Sequence, residues 1–276
     1  MAATGGSGAL RGVGEGFTRT ASDYDASVRH NVHGAARLVA SLPVGEYPRI
    51  LDVGCGTGWA TLAMLDRFGS RRVTGVDASE GMLEIFRDKL AGRDDVEVEL
   101  RAADVLDMGV EPGAYDAVIC SMALHWFADK PAAVRAMADA LRPGGVLGVL
   151  CAGRGGEDEY RAILAALDPP APPEWDAAFD DVQRDVDELE AYLLAAGLEP
   201  LDVWMERRVR HTEPEAYLER QRVVASHIFT AGIDEARLAR IGDEILALMR
   251  AASGPRGFAY TFTKLFGVAA KPGGGG

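Results

Sequence analysis

One feature constrains this 276-residue chain more than any other: an apolar strand runs straight into three closely spaced glycines, Ile50-Leu51-Asp52-Val53-Gly54-Cys55-Gly56-Thr57-Gly58. Glycine tolerates positive φ and lets a ligand approach the backbone with no Cβ in the way. A helical pattern follows from Trp59 to Phe68. Its first turn would present unpaired N–H groups to whatever the bend holds. The spacing is Gly-x-Gly-x-Gly. A pyrophosphate fingerprint, Gly-x-Gly-x-x-Gly/Ala, would need a small residue where Trp59 stands if read from Gly54, or where Thr61 stands if read from Gly56. This disfavours a nucleotide-dependent oxidoreductase.

The rest of the pattern predicts an α/β fold. Apolar strands are expected at Ile50–Val53, Arg72–Val76, Val96–Ala102, Tyr115–Ser121 and Val146–Cys151. Helices are expected between them at Trp59–Phe68, Gly81–Leu90 and Pro131–Leu141. Strands separated by helices imply a parallel sheet covered on both faces, doubly wound by right-handed crossovers. Leu198–Arg210 and Phe258–Val268 read as two further strands, with helices near 215–229 and 234–250 forming an insertion between them. The first helix is expected to start at Ser22, with Asp25 three residues on as its capping partner. Met1–Gly16 and the Gly273–Gly276 tail read as lacking fixed structure. The expected organisation is one domain over 17–270, with a helical insertion at about 213–252 and a flexible tail from 271.

Two acids extend the argument. Asp77 closes the second strand about 20 residues after the bend, a position suited to a carboxylate that accepts both ribose hydroxyls. Asp104-Val105 follows the third strand, where an acid beside an apolar residue can take an exocyclic adenine amine, and Met82 offers that ring a soft contact. A net charge of −13 opposes binding to phosphate backbones, so nucleic acid is not expected as a partner. Cys55, Cys120 and Cys151 show neither metal-ligand nor disulfide spacing, which suggests a reducing, cytoplasmic setting without a metal. A secretory signal and a bilayer-spanning run are not expected. His125 sits just past the fourth strand and is the candidate base, or else a structural histidine at a helix start. His30, His33, His211 and His227 read as structural.

Taken together, Asp52 to Gly58, Gly75-Val76-Asp77, Ala103-Asp104, Tyr115-Asp116 and Leu141-Arg142-Pro143-Gly144-Gly145 resemble the class I S-adenosylmethionine-dependent methyltransferases. The resemblance implies a Rossmann-like seven-stranded, mostly parallel sheet whose last strand is antiparallel. It also implies S-adenosyl-L-methionine as cofactor and S-adenosyl-L-homocysteine as product. Cofactor contacts would come from Tyr24, Asp52, Gly54, Cys55, Gly56, Gly58, Asp77, Ala78, Met82, Asp104, Val105 and Ser121. Met122, His125 and Trp126 would face the substrate. The run Ser121 to Phe127 is similar to that of carboxyl methyltransferases acting on malonyl-carrier protein or trans-aconitate. A small-molecule or carrier-bound acceptor is therefore expected, with the methylated atom (O, N or C) left open and a homodimer left open. A non-catalytic cofactor-binding protein stands as the alternative.

Overall fold

The structure, a computed structural model, describes residues 6–169, 171, 180–229 and 235–273. Calls on the first five and last three residues, and on most of the Pro-rich stretch after Asp168, fall outside them.

Helices α1 (Gly6–Ser27) and α2 (Arg29–Ser41) precede the alternating part of the chain. There follow β1 (Arg49–Val53), α3 (Trp59–Phe68), β2 (Arg72–Asp77), α4 (Glu80–Lys89), β3 (Glu97–Ala102), β4 (Tyr115–Ser121), α5 (Lys130–Ala140) and β5 (Leu141–Ala152). The described remainder comprises α6 (Asp158–Ala165), α7 (Val186–Ala195), β6 (Glu199–Thr212), α8 (Pro214–Phe229), α9 (Glu235–Ala252) and β7 (Phe258–Ala270). The strands form one seven-stranded sheet in the order β3-β2-β1-β4-β5-β7-β6. β1 to β5 pair in parallel, and β7 runs antiparallel between β5 and β6. This is the expected Rossmann-like sheet with its antiparallel last strand.

The central strands are apolar because both their faces are covered. Leu51, Val118, Leu147 and Leu265 pack with α5 and α7 on one side. Ile50, Ile119, Ala117 and Val268 pack with α2 and α3 on the other. Strand order reverses between β1 and β4, and the loops after those two strands open at the same end of the sheet. In an open α/β sheet this is where a ligand crevice forms.

Two expectations are corrected here. The first helix begins at Gly6, not Ser22, so Gly6–Gly16 is helical. Its glycines serve close packing: a Cβ on Gly14 would lie 3.1 Å from Ala78. Thr18 and Thr20 tie α1 down, through Ser79 Oγ at 2.8 Å and the Val223 carbonyl of α8 at 3.1 Å. Asp25 caps nothing. It accepts from Thr57 Oγ1 at 2.6 Å and Trp59 Nε1 at 2.9 Å and pairs with Lys89. Burial alone would raise its pKa, but these partners outweigh it and hold the carboxyl below its ordinary value. The fifth strand also starts earlier than expected, at Leu141, because Tyr115 already pairs there.

The helices expected between the last two strands are α8 and α9. Glu157, in the left-handed region at φ 63°, reaches α8 by pairing with Arg220 at 2.8 Å and accepting from Tyr217. No helix among the described residues is long and apolar enough to cross a membrane.

Candidate functional site

The bend after β1 is built by three positive-φ glycines, Gly54 (66°), Gly56 (52°) and Gly58 (87°). They have different tasks. A Cβ on Gly54 would strike Ala123, and one on Gly58 would enter the ring of Phe86. These two positions let the bend lie against the β4 loop and α4. A Cβ on Gly56 would meet no heavy atom within 4 Å. It would project into open space.

That space is a cleft of about 620 Å³. Its floor is Asp52, Gly54, Cys55 and Gly56; its far walls are Ser121, Met122 and Trp126; Phe17, Tyr24 and Asn31 cover it. A smaller side cavity of about 300 Å³ shares Gly54 and Asp77 with it and is closed by Ala78, Ala103, Asp104, Val105 and Phe127. The two cavities meet at Asp77.

Asp52 is fully buried and its pKa is pushed up to about 7, chiefly by burial, against hydrogen bonds from Thr61. Oδ2 accepts from the Thr61 N–H at 3.1 Å and Oγ1 at 2.7 Å, while Oδ1 is buried without a partner. The Asn31 amide oxygen, on α2 and also lining the cleft, is likewise buried and unpartnered. Two orphaned acceptors in one cavity are costly unless a donor arrives. An ammonium brings three N–H donors and a charge that suits the carboxylate.

At the junction, Asp77 Oδ2 accepts from the Gly56 N–H at 2.8 Å and Oδ1 from the Ser79 N–H at 2.9 Å. Burial raises its pKa, opposed by these backbone bonds. Each carboxylate oxygen has a second lone pair, so the group can also accept two ligand hydroxyls. Asp104 Oδ1 accepts from the Leu106 N–H at 2.8 Å, capping the turn at Val105–Asp107. Asp104 also lines the side cavity. An ammonium pole, a diol acceptor and a flat side cavity in sequence therefore fit an adenosyl amino acid.

The expected contact residues mostly converge. Tyr24, Asp52, Gly54, Cys55, Gly56, Asp77, Met82, Ser121, Met122 and Trp126 line the cleft, and Ala78, Asp104 and Val105 line the side cavity. Met82 belongs to the main cleft, not to the side cavity with Asp104. Gly58 is a packing residue behind the bend and does not line either cavity. Trp59 does not obstruct the cleft floor. Its indole N–H is fixed by Asp25 and its ring lies 4.0 Å from the Lys89 ammonium, so it forms a side wall.

Of the two readings of His125, base or structural histidine, its surroundings favour the second. It is 5% exposed and absent from the cleft lining. Nδ1 accepts from the Ala152 N–H at 3.4 Å, and the ring tilts against Trp126. It braces the β4 loop against β5. His125→Gln is expected to lower thermal stability while leaving turnover per folded molecule within about threefold, a change of under about 1 kcal/mol. A loss above about a hundredfold with unchanged cofactor affinity would restore it as the base. Of the other histidines, His33 is exposed, contrary to a structural role.

Two lining residues, Asn31 and Ala35, carry no sequence signal as ligand contacts. Met122 adds a conformational oddity. It is non-glycine at φ 58°, its N–H held by the Leu150 carbonyl at 2.6 Å. Strain of this kind persists where surroundings over-determine it.

Residues 50–145 match the family model described as "Methyltransferase domain". The chain is 35% identical over 133 residues to malonyl-[acyl-carrier protein] O-methyltransferase of Acetivibrio thermocellus, covering 48% of this chain and 46% of that protein. A trans-aconitate 2-methyltransferase of Variovorax paradoxus is 31% identical over 174 residues, covering 62% of this chain and 64% of the relative. The alignments thus span about half to two-thirds of these relatives. The fold also matches phosphoethanolamine N-methyltransferase 2 of Haemonchus contortus, solved with phosphomonomethylethanolamine and S-adenosylhomocysteine, at a TM-score of 0.54 and 18% identity, over 87% of this chain and 52% of that one.

Proposed function

We propose that this chain is an S-adenosylmethionine-dependent methyltransferase whose acceptor is a small or carrier-bound molecule methylated on a carboxylate. The observation that carries the cofactor reading is the orphaned Asp52 Oδ1 beside the Asn31 oxygen, at one end of a cleft whose other end is Asp77 and its side cavity. Asp52 and Asn31 would hold the amino group, Asp77 the ribose hydroxyls, and Ala78, Asp104 and Val105 the adenine. Bound S-adenosylmethionine supplies a sulfonium-activated methyl group. The chain's part is orientation and exclusion of water. Phe17 lies edge-on to both Tyr24 and Trp126 at 5.8 Å, an aromatic cover over the cleft.

The carboxylate acceptor rests on the lining as well as on the relatives' names. Among the described residues neither histidine nor lysine lines the cleft, and its two carboxylates, Asp52 and Asp77, are engaged by the cofactor in this reading. The Tyr24 phenol is pushed up to about 12, chiefly by burial and further by Asp77, and the Cys55 thiol is raised by burial. Such groups stay protonated at neutral pH. An acceptor that is already a nucleophile needs no base; an amine or carbon acid would.

The test is transfer of a radiolabelled methyl group from S-adenosylmethionine to a panel of carboxylic acids, including a malonyl-loaded carrier protein. Acid- and base-labile methyl ester formation is the expected product. Tight cofactor binding with no transfer to any acceptor would favour a non-catalytic binding protein. Asp77→Ala is expected to weaken S-adenosylhomocysteine binding about 10- to 100-fold, since charged hydrogen bonds contribute about 1.5–3 kcal/mol each. Unchanged affinity by calorimetric titration would remove Asp77 from the site.

A further inference from the structure

Across α2 from the cofactor cleft lies a second cavity, of about 670 Å³. Strand alternation puts Glu206, Arg208 and Arg210 of β6 on one face, and the register sets Lys264 beside Glu206 and Phe262 beside Arg208 on β7. Arg37 of α2 completes the wall. Asn31 and Ala35 of the same helix face the cofactor cleft, so α2 divides the two cavities.

The charge in this cavity is unbalanced. Among the described residues four cationic side chains line it against a single carboxylate, in a protein whose net charge is −13. That carboxylate, Glu206, is already shared by Arg37 at 3.1 Å and Arg208 at 3.4 Å. Burial pulls its pKa up, but those cations and the Trp204 N–H outweigh it, and the group is held ionised. The Arg210 Nε is buried with no hydrogen-bond partner. Lys264 is 8% exposed, and its ammonium sits so close to α2 that a Cβ on Gly34 would collide with it. Burial first, then repulsion from Arg210 and Arg208, push its pKa down to about 8. Arg37 and Arg208 keep more than half of their side-chain surface in solvent, but the Lys264 ammonium and the Arg210 Nε are withdrawn from it, and burying like charges side by side is unfavourable unless an anion joins them.

We infer that this cavity is a binding site for a small organic anion carrying two or more carboxylate groups, held by Arg210, Lys264 and Arg208. Guanidinium forks match carboxylates in two-point contacts. The Phe262 and Phe266 rings give the wall an apolar stretch suited to a carbon skeleton. A bare inorganic oxyanion would leave that stretch unused. The assignment does not rest on methyl transfer, because among the described residues the site shares no lining residue with the cofactor cleft.

The experiment is calorimetric titration of the full chain with citrate, and in parallel with inorganic phosphate at matched ionic strength. Citrate is expected to bind, and to bind at least about tenfold more weakly in Arg210→Gln and in Lys264→Gln, in keeping with the loss of one charged hydrogen bond. Both variants are expected to keep the S-adenosylhomocysteine affinity of the unaltered chain, which shows that they are folded. Absence of citrate binding, or citrate binding unaffected in both folded variants, would overturn the assignment. Phosphate binding as tightly as citrate would overturn the organic class of the ligand. Should a variant fail to bind S-adenosylhomocysteine, Arg208→Gln, on the same face but with a side chain 71% exposed, takes its place under the same criteria.

Discussion

Gly56→Ala is expected to give a folded protein that no longer binds cofactor, whereas Gly58→Ala is expected to lose much of its stability. Both residues have positive φ, 52° and 87°, so each alanine carries about 1–2 kcal/mol of backbone strain. The difference lies in where the new methyl goes. At Gly58 it enters the ring of Phe86, which is fully buried against Leu83 and Cys55. Displacing a packed ring adds about 1–3 kcal/mol. The sum, about 2–5 kcal/mol, is a large share of the 5–15 kcal/mol that typically holds a domain folded. At Gly56 the methyl meets nothing within 4 Å in the free protein, so strain is the whole cost. It then occupies the space over the bend where the cofactor would lie, and binding is expected to fall by more than about a hundredfold, over 2.7 kcal/mol. Thermal melts by circular dichroism and titration with S-adenosylhomocysteine separate the two effects. A Gly56→Ala protein with native affinity would show that the cofactor does not lie against the bend.

Those two glycines also mark the limit of what the sequence discloses. The bend, the strand leading into it and Asp77 are legible because each is local: a few consecutive residues determine a turn and the end of a strand. The packing task of Gly58 is set by Phe86, which lies far along the chain, so the motif alone shows it only as a ligand contact. Asn31 is hidden for the same reason, since only packing of α2 over β4 and β5 places its amide in the cleft. The N-terminal helix fails differently. A glycine-rich stretch has poor helix propensity and reads as unstructured, yet here contacts with Ala78, Ser79 and α8 override propensity and use the missing side chains for close approach. His125 is placed correctly along the chain, just past β4. Its ring direction depends on the β5 backbone, which the motif does not contain.

The buried acid at the methionine end of the cleft makes cofactor affinity depend on pH. Asp52 ordinarily titrates near 3.8 and is pushed up to about 7. Between those values the folded protein holds a proton that the unfolded chain has released, so stability of the free protein falls as pH rises from about 4 to 7. Cofactor binding runs the other way. An ammonium seated at Asp52 Oδ1 favours the ionised carboxylate, so below pH 7 the proton must leave before the ligand is held. Affinity is then expected to weaken by about tenfold for each pH unit, roughly a hundredfold from pH 7 to pH 5. Asp77, also raised by burial, adds to the slope at the acid end. Asp52→Asn keeps the shape and removes the charge. It should bind more weakly at pH 8 and lose one proton's worth of the slope, while its free form should lose the stability change between pH 4 and 7. Titrations with S-adenosylhomocysteine across pH 5–8 read this out directly. An Asp52→Asn protein whose affinity and slope matched those of the unaltered chain would place the ammonium elsewhere, and with it the orientation of the cofactor.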